Sequence, residues 1–297
     1  MDYRSFDPLE LPVPERHQLL LSTVSPRPIA FASTVDGEGR PNLAPFSFFN
    51  VFSSNPPTLV FSPARGGRDG KLKDTLLNVR EVPEVVINVV SYAMVQQMSL
   101  ASTAWERGVN EFEKAGFTAL PSDTVKPFRV AESPAQLECS VKNIVELGQQ
   151  GGAGNLIIAE VQRMHIAESV FGEDGRIDPH RIDLVARMGY DYYSRAAGSA
   201  IFEVEKPLAK KGIGIDALPE GIRTSHRLTG NHLGQLGNVE SLPSAEEAES
   251  VRDVPAVQEA MAESEPVRAL HDEAGIALDD GRVWYAWKIL VLAEALG

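Results

Sequence analysis

The chain has 297 residues, 43% apolar and 23% charged, with 28 Lys and Arg against 41 Asp and Glu for a net charge of −13. That composition supports a packed core and excludes a mainly disordered chain, a collagen-like repeat and a disulfide scaffold. Cys139, the single cysteine, can form no internal disulfide or CxxC site and fits a reducing compartment.

The acidic balance argues against a nucleic-acid-binding surface, although a local basic pocket stays open. The first residues carry no apolar signal region, and no run approaches the roughly 18–20 apolar residues of a membrane span, so a cytoplasmic protein is expected. Charge is uneven: from Asn238 onward there are 13 acidic and 4 basic residues, a net of −9.

Glu15 to Leu21 reads as a short helix in a lead-in segment. Ile29 to Val35 is rich in β-formers and ends in the turn Asp36-Gly-Glu-Gly39, and Asn42 to Phe49 resumes as the second arm of a hairpin. Thr58–Ser62 and Glu84–Val90 read as short buried strands. Between them Leu72, Leu76 and Val79 mark one face of a helix.

Ser91 to Thr103 reads as a helix, and Asn110 to Ala115 as a short one closed by Gly116. Residues 136–147 alternate. Leu137, Cys139, Val141, Val145 and Leu147 share one face, and Gln136, Glu138, Ser140, Lys142 and Glu146 the other. A glycine-rich loop, 149–154, leads into a long strand from Asn155 to Ile166.

Strands dominate without the strand–helix alternation of a parallel sheet, so a closed antiparallel barrel with helical insertions fits best. The segment 207–243, rich in glycine and proline, reads as a linker. Ser244-Ala-Glu-Glu247 is a capping-box pattern that opens an acidic helical tail, including Val257–Ala274 and Trp284–Leu296. Two domains are expected: 1–206, and a linker with helical extension, 207–297. The apolar stripe near Trp284, Trp287 and Leu290 should dock on the barrel exterior or across a dimer.

The segment Ser62 to Thr75 joins a strand to a helix through a loop holding Arg65, Arg68, Lys71 and Lys73. Cations at a helix N-terminus are unfavourable alone, and an anionic ligand would resolve the conflict. A solvated, charged loop is the other reading, and no P-loop spacing is present. The aromatic run 46–52, interleaved with Ser47 and Asn50, suits either a planar ligand or plain core. The six histidines are scattered, so no metal site is expected. His165 reads as a hydrogen-bonded rim residue. Gly212-x-Gly-x-x-Ala217 follows no apolar strand and is not a dinucleotide motif.

In order along the chain stand Pro26-Arg-Pro-Ile-Ala-Phe-Ala-Ser-Thr34, Pro41-Asn-Leu-Ala-Pro-Phe-Ser-Phe-Phe-Asn50, Phe61-Ser-Pro63, Lys73-Asp-Thr75, Glu132-Ser-Pro-Ala-Gln-Leu-Glu-Cys139 and Ala186-Arg-Met-Gly-Tyr-Asp-Tyr-Tyr193. Together, over roughly residues 12–205, they resemble the flavin reductase-like family of FMN-binding split barrels. That family includes flavoredoxin and the reductase components of two-component monooxygenases.

The resemblance implies an antiparallel split β-barrel, usually a homodimer, with FMN (FAD being possible) near the dimer interface. It implies an NAD(P)H-driven oxidoreductase handing electrons to a monooxygenase or other acceptor protein, or a flavoprotein electron carrier reduced by a partner. Carried over by position, Ser33 and Thr34 would touch the flavin, and Ser47, Phe48, Phe49 and Asn50 would line its ring and ribityl chain. Ser62, Lys73, Asp74 and Thr75, with Arg65, would surround the phosphate. Arg187 and Tyr192 would lie near the site.

Overall fold

The computed structural model describes residues 1–67, 69–208 and 211–296. Arg68, one of the four loop cations, lies outside them. The chain divides into two units, Met1–Phe202 and Glu203–Gly297.

The first unit is built on helix α1 (Val13–Thr23) and strands β1 (Ala30–Val35), β2 (Pro41–Phe46), β3 (Phe49–Ser54) and β4 (Pro57–Phe61). Helix α2 (Asp74–Glu81), strand β5 (Glu84–Asn88), helices α3 (Val95–Leu100) and α4 (Glu111–Ala115), and short strands β6 (Ala119–Leu120) and β7 (Arg129–Val130) follow. The long strands β8 (Ala135–Glu146) and β9 (Asn155–Ile166), helix α5 (Pro179–Ile182) and the pair β10 (Val185–Arg187) and β11 (Tyr193–Arg195) complete it.

Seven strands form one antiparallel sheet in the order β2-β1-β5-β8-β9-β4-β3. Its two edges, β2 and β3, are consecutive in the chain and only Ser47 and Phe48 separate them. The sheet therefore curls: the Phe46 ring on one edge strand lies 5.7 Å from that of Phe61 on β4. Yet β2 and β3 form no ladder with each other among the described residues. The closed barrel expected from the dominance of strands is thus corrected to an open one, split between β2 and β3, as the family resemblance implies. The chain breaks there because Ser47 Oγ accepts a hydrogen bond from Arg27 Nε (3.4 Å) and the Phe48 carbonyl accepts the Ser62 N–H (2.9 Å). The single strand expected over 42–49 is accordingly two.

Strand β1 is buried on both faces, which accounts for its continuous apolar run. Ala30 and Ala32 face a core with Leu59, Phe61, Leu76, Val79, Ile87, Cys139 and Ile157; Phe31 faces a second with Leu43, Met94, Met98, Phe112 and Phe117. Gly116, at φ 71°, closes α4 in the left-handed region that glycine adopts without strain. The alternation expected through β8 fails halfway. A bulge at Val141/Asn143 inserts Lys142 into β8 and shifts its pleat by one residue, while the register shift at Glu138/Cys139 inserts Gln162 into the partner strand β9. Ile144 packs on the core, Leu147 is 63% exposed, and Glu138 is fully buried.

The second unit is helical: α6 (Glu220–Arg223), α7 (Gly230–Gly237), α8 (Ala245–Glu249), α9 (Pro255–Ala262), α10 (Pro266–Asp279) and α11 (Val283–Leu296). Its own core joins Ile222, Leu236, Val257, Leu270, Leu278, Trp287, Ile289 and Leu290. This corrects two expectations. Residues 213–239 are part of that core rather than a linker, and α11 buries Trp287 inside its own unit, where Nε1–H donates to the Leu236 carbonyl (3.1 Å). The Ser244–Glu247 capping box forms as its spacing predicts. The helix expected over 257–274 is interrupted at Ala262, because Pro266 must open a new one. No described helix is long and apolar enough to cross a membrane.

Candidate functional site

The expected site residues fall into three groups. The first is the turn between the sheet edges. Ser47 is half-buried, Phe48 is 39% exposed with its ring edge-on to His17 (6.3 Å), and Phe49 is half-buried. Asn50 is exposed, and its side-chain oxygen accepts only the next N–H, that of Val51 (2.8 Å). Arg27, buried, organises this turn: besides Ser47 it donates to carbonyls of Leu21, Val24 and Met188. Its backbone exchanges two hydrogen bonds with Arg187. Burial, and then the Arg187 charge, lower the Arg27 pKa. The Arg187 guanidinium donates to the Tyr192 carbonyl (3.1 Å) and stacks on the Tyr193 ring; Tyr192 itself is exposed. Arg27 thus ties Ser47 to Arg187. Sequence reasoning passed it over, though a lone arginine between two prolines ahead of a buried strand was the available signal.

The second group is the loop 62–72 and the start of α2. Ser62 is buried and its Oγ accepts the Asn155 N–H (3.0 Å), while Asn155 Nδ2 donates to the Pro63 carbonyl. Arg65 reaches Glu146 Oε2 (3.0 Å) and Gln149 Oε1 (2.8 Å), which fastens the loop to the β8–β9 turn. Gln149 and Arg65, opposed by weaker desolvation, hold the Glu146 carboxyl below the usual carboxylate range. Lys73 stands exposed at the N-cap of α2 and forms no ion pair among the described residues. No side chain caps this helix end, so its first N–H groups keep their donor capacity. Asp74, half-buried, pairs with Arg107 (3.4 Å).

The third group lies beneath the second. Ser33, Thr34 and Thr75 are all fully buried. Thr34 Oγ1 accepts from Asn42 Nδ2 (3.4 Å) and Asn78 Nδ2 (3.2 Å), and Thr75 Oγ1 accepts from Asn42 Nδ2 (3.0 Å). Asn42 and Asn78 were not among the expected residues. One strand position away, the Leu43 N–H donates to buried Glu111 (3.0 Å), whose carboxyl burial pushes up.

A phosphorylated planar group suits this surface on three observations. The start of α2 has no side-chain cap and carries Lys73, which has no ion-pair partner among the described residues. Two buried polar atoms without a partner, Ser33 Oγ and Arg65 Nε, belong to the expected set. The turn Phe48–Asn50 offers an exposed ring and an exposed amide.

Elsewhere, Asp123, Glu138 and His165 offer ligand atoms within 4.8 Å of one another. Glu138 already accepts from Asp123 N, Thr124 N, Thr124 Oγ1 and His165, and Arg129 Nε stands 3.9 Å away. This is a structural knot.

Residues 22–187 match the flavin reductase like domain, and the chain belongs to that family. An uncharacterised protein of Halalkalibacterium halodurans is 36% identical over 195 residues, 65% of this chain and 91% of its own length. Among solved structures, nitrilotriacetate monooxygenase component B from Bacillus cereus is similar at a TM-score of 0.64 and 29% identity, over 69% of this chain and all of the other. Pseudomonas fluorescens 2-nitrobenzoate 2-nitroreductase is similar at 0.61 and 26%, over 70% of this chain and all of that one. The protein therefore has a flavin-related redox function on a split-barrel fold. The family match ends within the first unit; the helical unit lies beyond it.

Proposed function

We propose that the chain is an FMN-dependent oxidoreductase of the NAD(P)H:flavin reductase type that hands electrons to an acceptor protein. The observation that carries the reading is the exposed Lys73 at the uncapped start of α2, in a member of this family. Lys73, the free N–H groups of α2 and the unused Nε of Arg65 would hold the phosphate. Phe48 and Phe49 would pack against the ring, Asn50 would offer its amide to the ring or ribityl chain, and Arg187 and Tyr192 would border it. Bound there, the isoalloxazine would supply hydride acceptance and onward electron transfer. No proton-transfer residue is needed for a hydride step, and the chain's own part is binding, orientation and exclusion of water.

A second copy would cover the open side. The edge strand β3 exposes Val51 (63%) and Phe52 (68%) beside Phe48, an apolar stretch suited to a homodimer interface. The likeness to a monooxygenase component B supports an oxygenase as acceptor, and a reduced buried thiol with a nicotinamide co-substrate fits the cytoplasm.

The test is anaerobic rapid mixing of FMN-loaded protein with NADH and NADPH. Bleaching of the flavin at a catalytic rate supports a reductase. A bound flavin that neither nucleotide bleaches makes the protein a carrier reduced by another protein, and failure to bind any flavin sinks both readings.

A further inference from the structure

The fully buried Thr34 and Thr75 cannot meet a ligand through their hydroxyls as they stand. Their oxygens accept from the amides of Asn42 and Asn78, which are themselves at most 7% exposed. The four residues come from three elements: Thr34 from β1, its antiparallel partner Asn42 from β2, and Thr75 and Asn78 from successive turns of α2. Each amide links elements. Asn42 spans β1 and α2 from its own strand, and Asn78 ties the second turn of α2 back to β1. Thr75 is the second residue of the helix, two positions beyond Lys73.

We propose that Thr34, Asn42 and Asn78 are positioning residues that fix the first turn of α2 and thereby set selectivity for a phosphorylated flavin over an unphosphorylated one. The inference rests on the reading of Lys73 and the α2 start as the phosphate site. Three features of the network carry it. It is buried, so each hydrogen bond is enforced by the cost of leaving a buried polar group unpaired. It grips both successive turns of the helix, which restricts tilt as well as translation. It also lies directly below an end that has no cap of its own, so the donors at that end are aimed only by what holds the helix from beneath. Charge-assisted bonds to a phosphate depend steeply on such aim, whereas stacking on Phe48 does not.

The experiment compares FMN and riboflavin affinity by fluorescence titration of the full chain, for the native protein, Thr34→Val, Thr34→Ser and Asn78→Leu. Valine matches threonine in shape but removes the acceptor, stranding the Asn78 amide and leaving Asn42 only its bond to Thr75, and serine keeps the acceptor. The native protein should prefer FMN. Thr34→Val and Asn78→Leu should lose at least fivefold in FMN affinity with riboflavin unchanged, and Thr34→Ser should restore the preference. Equal losses for both flavins, or an unchanged FMN preference in folded Thr34→Val and Asn78→Leu, would overturn the inference. A native protein that binds both flavins equally would overturn the phosphate reading itself. If Thr34→Val fails to fold, Asn78→Leu and Thr34→Ser carry the same comparison.

Discussion

The buried carboxylate of Glu138 lies 2.7 Å from Nε2 of His165, and residues 123 and 124 close over its other face. Burial alone would push this carboxyl up, but the Thr124 hydroxyl, two N–H groups and His165 overcome it and hold it down at about 2. A carboxylate depressed on folding stabilises the protein above its unfolded value, near 4.5, and that contribution fades as pH falls toward 2. Glu138→Gln should therefore cost about 2–3 kcal/mol at neutral pH, on the scale of hydrogen bonds to charged groups. The variant should also show a flatter acid limb between pH 4.5 and 2 in thermal melts. An acid limb identical to that of the native protein would contradict the assignment.

Lys73→Ala should weaken FMN roughly tenfold or more, the scale of one charge-assisted hydrogen bond, with riboflavin unaffected. Equilibrium titration of both ligands reads this directly.

Glu146 bridges Arg65 and Arg80, so it fastens the loop 62–72 as well as neutralising it. Glu146→Ala should release the loop. Limited proteolysis should cut faster within residues 62–72 while the melting temperature changes little, since exposed ion pairs contribute little to stability.

Trp287 is fully buried in a core drawn entirely from the second unit. Trp287→Ala should destabilise that unit by about 3–5 kcal/mol. Calorimetry should show one transition shifting while flavin affinity stays native. A chain ending at Phe202 should likewise keep its flavin, and loss of flavin in that chain would assign the helical unit a part in the site.

Sedimentation at micromolar concentration should show a dimer, and Phe52→Glu on the edge strand should raise its dissociation constant. A monomer that still holds flavin tightly would refute the proposed interface.

Much of the first unit is legible from the sequence because its strands are continuous apolar runs or alternate, and its turns carry glycine. Hairpin β1–β2, the stripe of α2 and the whole of β9 follow from such local signals. The bulge of β8 at Lys142 does not: one inserted residue has no compositional signature, yet it re-aims everything after it. The buried polar network was half-visible. Asn78 interrupts the stripe of Leu76 and Val79, and a polar residue among core positions calls for a partner. That partner, Thr34, is 44 residues away, a distance no periodicity spans. The core of the second unit is not legible in its first part because the first helices run only four and eight residues, too short to show a period, and their burial depends on α10 and α11, later in the chain.

Cys139 lies in the core of the sheet, and desolvation with the neighbouring Glu138 charge pushes its thiol up to about 12. Reduced flavins that meet dioxygen release peroxide, and peroxide attacks the thiolate rather than the thiol. That shift keeps the sulfur as the thiol at neutral pH. If the proposed flavin chemistry releases peroxide, the lone sulfhydryl of this chain meets it in the form least open to oxidation.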